Sequence, residues 1–111
     1  MPWELDSDRP IYAQIVDRLK HEIVSGFYPP GSRLPSVRDL AAQASVNPNT
    51  MQKAFTELER TGLIVTRRTS GRTVTEDTAL IEQVRSELAE LQISQFLTRM
   101  QPLGYQKDDS I

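Results

Sequence analysis

The chain contains no cysteine. That absence removes a disulfide framework, a thiolate zinc site and thiol catalysis, and it suits a reducing compartment. Long apolar runs are missing too: no stretch approaches the roughly 18 residues that a membrane-spanning helix needs. The opening residues, Met1-Pro2-Trp3-Glu4-Leu5-Asp6, are acidic and carry no signal-like apolar segment. A cytoplasmic protein without membrane contact is therefore expected. Histidine occurs once, as His21, inside a helical pattern between Lys20 and Glu22 and four residues after Asp17. That setting reads as surface. No paired carboxylates, metal-ligand spacing or nucleophile–base arrangement stands out, so the residues point away from an enzyme and call for no metal or cofactor.

What is present is ordinary in amount but uneven in placement. A chain of 111 residues suffices for one small domain and an appendage, and not for two full cores. The formal net charge of −2 argues at first against a polyanionic partner. Its distribution argues otherwise. Residues 31–75 carry seven Lys/Arg against three Asp/Glu, whereas residues 1–30 carry three against five and residues 76–111 three against seven. A basic middle flanked by acidic ends can face nucleic acid despite the overall sign.

Periodicity divides the chain into six elements. Ser7 or Asp8 offers a cap and Pro10 a first turn for a helix whose apolar positions are Ile11, Ile15, Val16, Leu19 and Ile23, ending near Gly26. Phe27-Tyr28-Pro29-Pro30-Gly31 must turn. Ser36, with Asp39 three residues on, caps a second helix of about nine residues with Leu40, Ala41 and Ala44 inward. Ser45-Val46 is a tight turn. Asn47-Pro48 then opens a third helix with the stripe Met51, Ala54, Phe55 and Leu58, stopped by Gly62. Residues 63–67 and 72–75 read as strands around a Thr69-Ser70-Gly71 turn. From Asp77 or Thr78 a last helix carries Ile81, Val84, Leu88 and Leu91 at spacings of 3, 4 and 3, then Phe96, Leu97 and Met100, before a turn at Pro102 and Gly104 and a polar tail.

Two short helices joined by a tight turn and followed by a hairpin form a winged helix-turn-helix, a mostly α member of the α+β class with three helices and a β-hairpin wing. Residues 1–75 make that domain; residues 76–111 make a C-terminal helical dimerisation segment with a loose tail. The second helix of such a pair enters the major groove. Here its first turns hold Asn47, Asn49, Thr50, Gln52 and Lys53, more amide and hydroxyl groups than capping needs and suited to adenine and thymine edges. Arg67 and Arg68 before the wing tip and Arg72 after it suit phosphate or minor-groove contact. Arg38 lies in the first turn of the second helix, where the helix dipole disfavours a cation, so a phosphate or guanine partner is expected.

The residues of 10–75 resemble the GntR family of bacterial transcription factors. The resemblance lies in Pro10-Ile11-Tyr12-Ala13-Gln14-Ile15, in Pro30-Gly31-Ser32-Arg33-Leu34-Pro35-Ser36-Val37-Arg38-Asp39-Leu40-Ala41, in Asn47-Pro48-Asn49-Thr50 and in Glu57-Leu58-Glu59-Arg60-Thr61-Gly62-Leu63-Ile64. Asn-Pro-Asn-Thr and the short C-terminal segment are similar to the YtrA subfamily, whose members lack a large effector domain and dimerise through short helices. The resemblance implies DNA contacts from Ser36, Arg38, Asn47, Asn49, Thr50, Gln52, Lys53, Thr69 and Ser70. It departs from the family at Pro48 and Gln52, where arginine is common, at the wing, which reads Thr69-Ser70-Gly71-Arg72-Thr73, and at Ser45, where a turn glycine is usual and a positive φ would bring strain.

A winged domain of this size is not expected to cover the last helix by itself, the alternative being that this helix packs back on its own domain. A homodimer through Ile81, Val84, Leu88, Leu91, Phe96 and Leu97 follows, with two recognition helices on half-sites roughly 34 Å apart and a palindromic operator in double-stranded DNA. A repressor is the regulatory reading. Any small-molecule effector would lodge between the winged domain and the C-terminal helices, near Trp3, Phe27 or Tyr28. The competing reading is a winged domain used only for protein–protein contact, which would normally carry aromatic or aliphatic anchors where this chain has amides and arginines.

Overall fold

Apolar side chains returning every three or four residues at Ile15, Leu19 and Ile23 leave the first segment one way to escape water, as a helix with that stripe turned inward. The computed structural model describes residues 3–100, with side chains described to residue 98. In order it contains α1 (Ile11–Val24), α2 (Val37–Ala44), α3 (Pro48–Thr61), β1 (Ile64–Arg67), β2 (Gly71–Val74) and α4 (Thr78–Met100). The core gathers where α1, α2 and β1 meet on α3, around the fully buried Phe55, Met51, Leu58, Ile15, Leu19 and Leu40.

Helix ends follow the local chemistry in three of four cases. The Ser36 hydroxyl accepts the Asp39 N–H at 3.0 Å, Asn47 Oδ1 accepts the Asn49 N–H at 2.7 Å with Pro48 at the first helical position, and Asp77 Oδ1 accepts the Leu80 N–H at 3.1 Å. The expected Ser7 or Asp8 cap of α1 is replaced. The capping position is Pro10, which has no side-chain hydrogen to give and accepts none. The preceding arm is held instead by the buried Gln14 amide, whose oxygen accepts the Asp6 N–H and whose nitrogen donates to the Asp6 and Arg9 carbonyls. Tying down two loop carbonyls and one N–H satisfies the backbone better than one hydroxyl could.

The wing is an antiparallel pair in register Ile64↔Val74, Val65↔Thr73, Thr66↔Arg72 and Arg67↔Gly71. Gly71 takes φ +75, which lets the chain reverse after the three-residue tip. The segment before α2 adds to the outer side of β2. Leu34 N–H donates to the Arg72 carbonyl, Val74 N–H to the Ser32 carbonyl and Gly31 N–H to the Val74 carbonyl, each at 2.9 Å. This third strand-like segment, bridging Arg33 and Thr73, buries Thr73 and fastens the start of α2 to the wing.

The last helix corrects an expectation. Ile81, Val84 and Leu88 are buried within the single chain, as part of its own core, because α4 runs back along α1. Arg85 donates to the Val24 carbonyl at the end of α1, and Gln92 lies 3.1 Å from His21 one turn earlier, so the helices are antiparallel. These three residues are not a free seam. Leu91, Phe96 and Leu97 are 47%, 57% and 58% exposed, and Ile93, on the Phe96 side of the helix, is exposed as well. The expected turn at Pro102 and Gly104 and the polar tail lie outside the described residues, as does the Met100 side chain.

Between α2 and α3 the chain turns at Ser45, with φ 60 and ψ 45, the only non-glycine residue at positive φ among the described residues. The strain expected there is present. It is tolerated because the Ser45 N–H reaches the Ala42 carbonyl and the Val46 N–H the Ala41 carbonyl, closing the end of α2. Ser45→Gly relieves about 1–2 kcal/mol of left-handed strain and returns part of it as unfolded-chain entropy. The expected net gain of about 0.5–1 kcal/mol is measurable as a higher midpoint in urea or thermal unfolding.

Candidate nucleic-acid interface

Helix α3 has two opposite faces. Met51, Ala54, Phe55 and Leu58 are inside, and Asn49, Gln52, Lys53 and Thr56 form an outer, solvent-facing stripe. The Asn47-Pro48 cap starts this stripe immediately after the Ser45 turn, so the polar first turn of α3 and its exposed N–H groups stand free of the core. Asn47 and Asn49 are both exposed, and Thr50 is half-buried behind them. Gln52 Nε2 donates to the Thr56 hydroxyl at 3.2 Å, and the Lys53 ammonium rests 4.1 Å from the Tyr12 ring centroid. Thr56 was not singled out by the sequence reading, although its spacing of four from Gln52 marks it as part of the same face.

The cations separate into two groups. Among the described residues, Arg38, Arg67 and Arg68 are exposed and take part in no ion pair. Arg33, which the sequence reading passed over, joins them. Its backbone pairs with Thr73 of β2 and its guanidinium reaches the Gly71 end of the strand, next to the wing tip. The pairing of residues 31–34 with β2 is what brings it there, and only the long-range backbone register reveals that pairing. Thr69 is exposed and Ser70 half-buried at the wing tip, and Ser36 sits at the start of α2, a short step along the chain from Arg33.

Arg72 belongs to the other group. It was expected to reach phosphate, but its Nε donates to Glu59 Oε2 at 3.1 Å and its guanidinium lies 5.3 Å from the Phe55 ring centroid. The Thr66 hydroxyl, directly opposite Arg72 in the hairpin register, donates to the same carboxylate oxygen. Arg72 therefore braces the wing against α3. A partly buried guanidinium with a carboxylate on one side and an aromatic face on the other has little reason to leave for a solvated phosphate. On the neighbouring, exposed side of α3, the Arg60 guanidinium beside Glu57 holds that carboxyl below its ordinary range and is itself raised by the pairing.

The positions named for an effector are linked through Arg18, which lies over Trp3 and whose charge acts on the Tyr28 hydroxyl. Trp3 stacks on Arg18, with the guanidinium carbon 4.2 Å from the ring centroid, and lines a shallow hollow beside Ala44, Val46, Asn47 and Thr50. Phe27 is exposed and packs edge-on against Tyr28, centroids 4.9 Å apart. Among the described residues no group of His, Cys, Asp or Glu could hold a metal ion, and no helix is long and apolar enough to cross a membrane.

A double-mutant cycle on Glu59→Ala and Arg72→Ala tests the brace. Each side chain is 27% exposed, so the pair should show a coupling of about 1 kcal/mol in urea unfolding, at the upper end of what exposed pairs give. Arg67→Ala, which has no such partner, should leave stability within about 0.5 kcal/mol.

Comparison with known proteins agrees with this geometry. The sequence profile of the bacterial regulatory proteins of the gntR family matches residues 11–74, the span from the start of α1 to the end of the wing. The HTH-type transcriptional regulator YhcF of Bacillus subtilis is 35% identical over 108 residues, covering 97% of this chain and 89% of YhcF. The HTH-type transcriptional repressor YtrA of the same organism is 46% identical over 78 residues, covering 68% of this chain and 60% of YtrA. Among solved structures, a GntR family transcriptional regulator from Listeria monocytogenes superposes with a TM-score of 0.82 at 43% identity, covering 95% of this chain and 92% of its own. The AraR DNA-binding domain, solved in complex with operator ORX1, superposes with a TM-score of 0.57 at 26% identity, over 68% of this chain and 92% of its own. With the profile spanning more than half of its length and YhcF aligned almost end to end, the chain belongs to the GntR family of bacterial regulatory proteins, as a YtrA-like member.

Proposed function

We propose that the protein is a sequence-specific transcription regulator that binds double-stranded DNA as a homodimer on a palindromic operator and acts there as a repressor in the cytoplasm. The observation that carries this reading is the outer stripe of α3, where Asn49, Gln52, Lys53 and Thr56 are free of the core while the opposite stripe is fully buried. In this reading the first turns of α3 enter the major groove. Asn49 and Gln52 offer paired donor and acceptor groups to adenine, and Thr50 a methyl and hydroxyl. Asn47 and Ser36 present helix N-termini, whose N–H groups favour phosphate. Arg33, Arg38, Arg67 and Arg68 supply the sequence-independent attraction, with Thr69 and Ser70 at the wing tip. Arg72 acts through the wing's angle to α3 and touches no DNA. The operator complex of AraR and the repressor name of YtrA support the DNA and repressor parts respectively.

Self-association is assigned to the distal half of α4. Phe96 and Leu97, with Ile93 on the same side of α4, leave an apolar patch in water that a second copy would cover, and Leu91 is exposed on the side turned toward α1. Ile81, Val84 and Leu88 contribute by holding α4 in place.

Duplexes selected from a random library should bind with a log–log salt slope of several units. Arg38→Ala and Arg67→Ala should each reduce that slope by about one, while Asn49→Ala should cost about 1–3 kcal/mol at the selected site and relax its sequence preference. Failure to enrich any duplex, with salt-insensitive capture of a protein instead, would favour the protein-contact reading. In sedimentation equilibrium the parent chain should be a dimer and Phe96→Glu/Leu97→Glu a folded monomer. Leu88→Ala should lower unfolding stability by about 2–5 kcal/mol through loss of core packing. A Phe96/Leu97 variant that stays dimeric places the interface elsewhere.

A further inference from the structure

The N-terminal arm, α1 and α4 enclose a cleft of about 320 Å³ on the side of the molecule that the proposed DNA contacts do not use. Its walls are fixed by polar contacts. Asp6 and Arg9 are held by the two-ended clamp of the Gln14 amide. Gln92 of α4 is 3.1 Å from His21 Nε2, and His21 Nδ1 is 3.1 Å from the Asp17 carbonyl.

Two carboxylates, Asp6 and Asp17, and the Arg9 guanidinium line the cleft. Arg9 and Asp17 face each other at 3.8 Å and offset one another. The Asp6 carboxylate has no ion pair or hydrogen bond among the described residues. Leu88 and Leu91 give the α4 side an apolar floor, and Gln92 and Gln95 add amide acceptors at its rim. The complement of one unmatched carboxylate, amide oxygens and an apolar floor is a cationic donor on a short hydrocarbon stem. The volume admits a molecule of about five to ten heavy atoms.

We propose that this cleft is a binding site for a small primary aliphatic ammonium compound, with its nitrogen at Asp6 and its stem against Leu88 and Leu91. A free amino acid and a simple aliphatic amine share that chemistry. The site stands independently of the DNA reading.

The test is an NMR titration of the full ¹⁵N-labelled chain with n-butylammonium, L-leucine and, as an uncharged control, n-butanol. Saturable shifts confined to the arm, the middle of α1 and residues 88–95, given by butylammonium and absent with butanol, are expected. If leucine also saturates there, the amino-acid source is supported; if butylammonium alone does, the simple amine is. Asp6→Asn keeps the backbone clamp and should weaken binding roughly ten- to a hundredfold. Shifts scattered over the acidic surface, no saturation, or equal binding by Asp6→Asn overturns the site.

Discussion

Everything in this fold depends on the burial of one stripe of α3. Met51, Ala54, Phe55 and Leu58 are fully enclosed, and α1, α2 and β1 each pack against that helix. Because an α-helix alternates its faces every 3.6 residues, driving those four residues inward forces Asn49, Gln52, Lys53 and Thr56 outward. The hydrophobic effect that stabilises the domain thus also presents its polar reading face. Burial of the inner stripe needs no information about DNA, and the outer stripe is free to vary without disturbing the core.

The wing is aimed by a second, polar constraint. Arg72 lies between the Glu59 carboxylate and the Phe55 ring, so the hairpin is tied to the same helix whose inner stripe organises the core. Residues 31–34 add their backbone hydrogen bonds along the other side of β2. The start of α2, the wing and α3 are thereby joined as one body, and the exposed Arg33, Arg38, Arg67 and Arg68 ride on it. An arginine inside this group stabilises geometry, whereas those outside it retain their charge for a partner.

Helix α4 divides its labour along its length. Its first turns complete the core of their own chain and its later turns expose Leu91, Ile93, Phe96 and Leu97. The heptad-like spacing of Ile81, Val84, Leu88 and Leu91 looks the same whether the covering surface is a second chain or the flank of α1. Spacing specifies that a stripe is buried, and the identity of its cover comes from elsewhere. The cleft beside this helix lies between it, α1 and the N-terminal arm, with Leu88, Leu91, Gln92 and Gln95 as its α4 wall.

The sequence alone determined the winged helix-turn-helix, the caps at Ser36 and Asn47, the positive φ at Ser45, the polar start of α3 and the family, because each rests on local chemistry or on short spacing. A hydroxyl or amide before an apolar run signals a helix start wherever it occurs. Only the tertiary structure decided three matters: that Arg72 faces Glu59, that Arg33 stands at the wing, and that Ile81, Val84 and Leu88 are covered by α1. Those outcomes join residues 13 or more positions apart, and no periodicity encodes which distant surface a side chain will meet. The same holds for Gln14. As one polar residue on a helix it looks solvated, and the returning arm makes it a buried clamp.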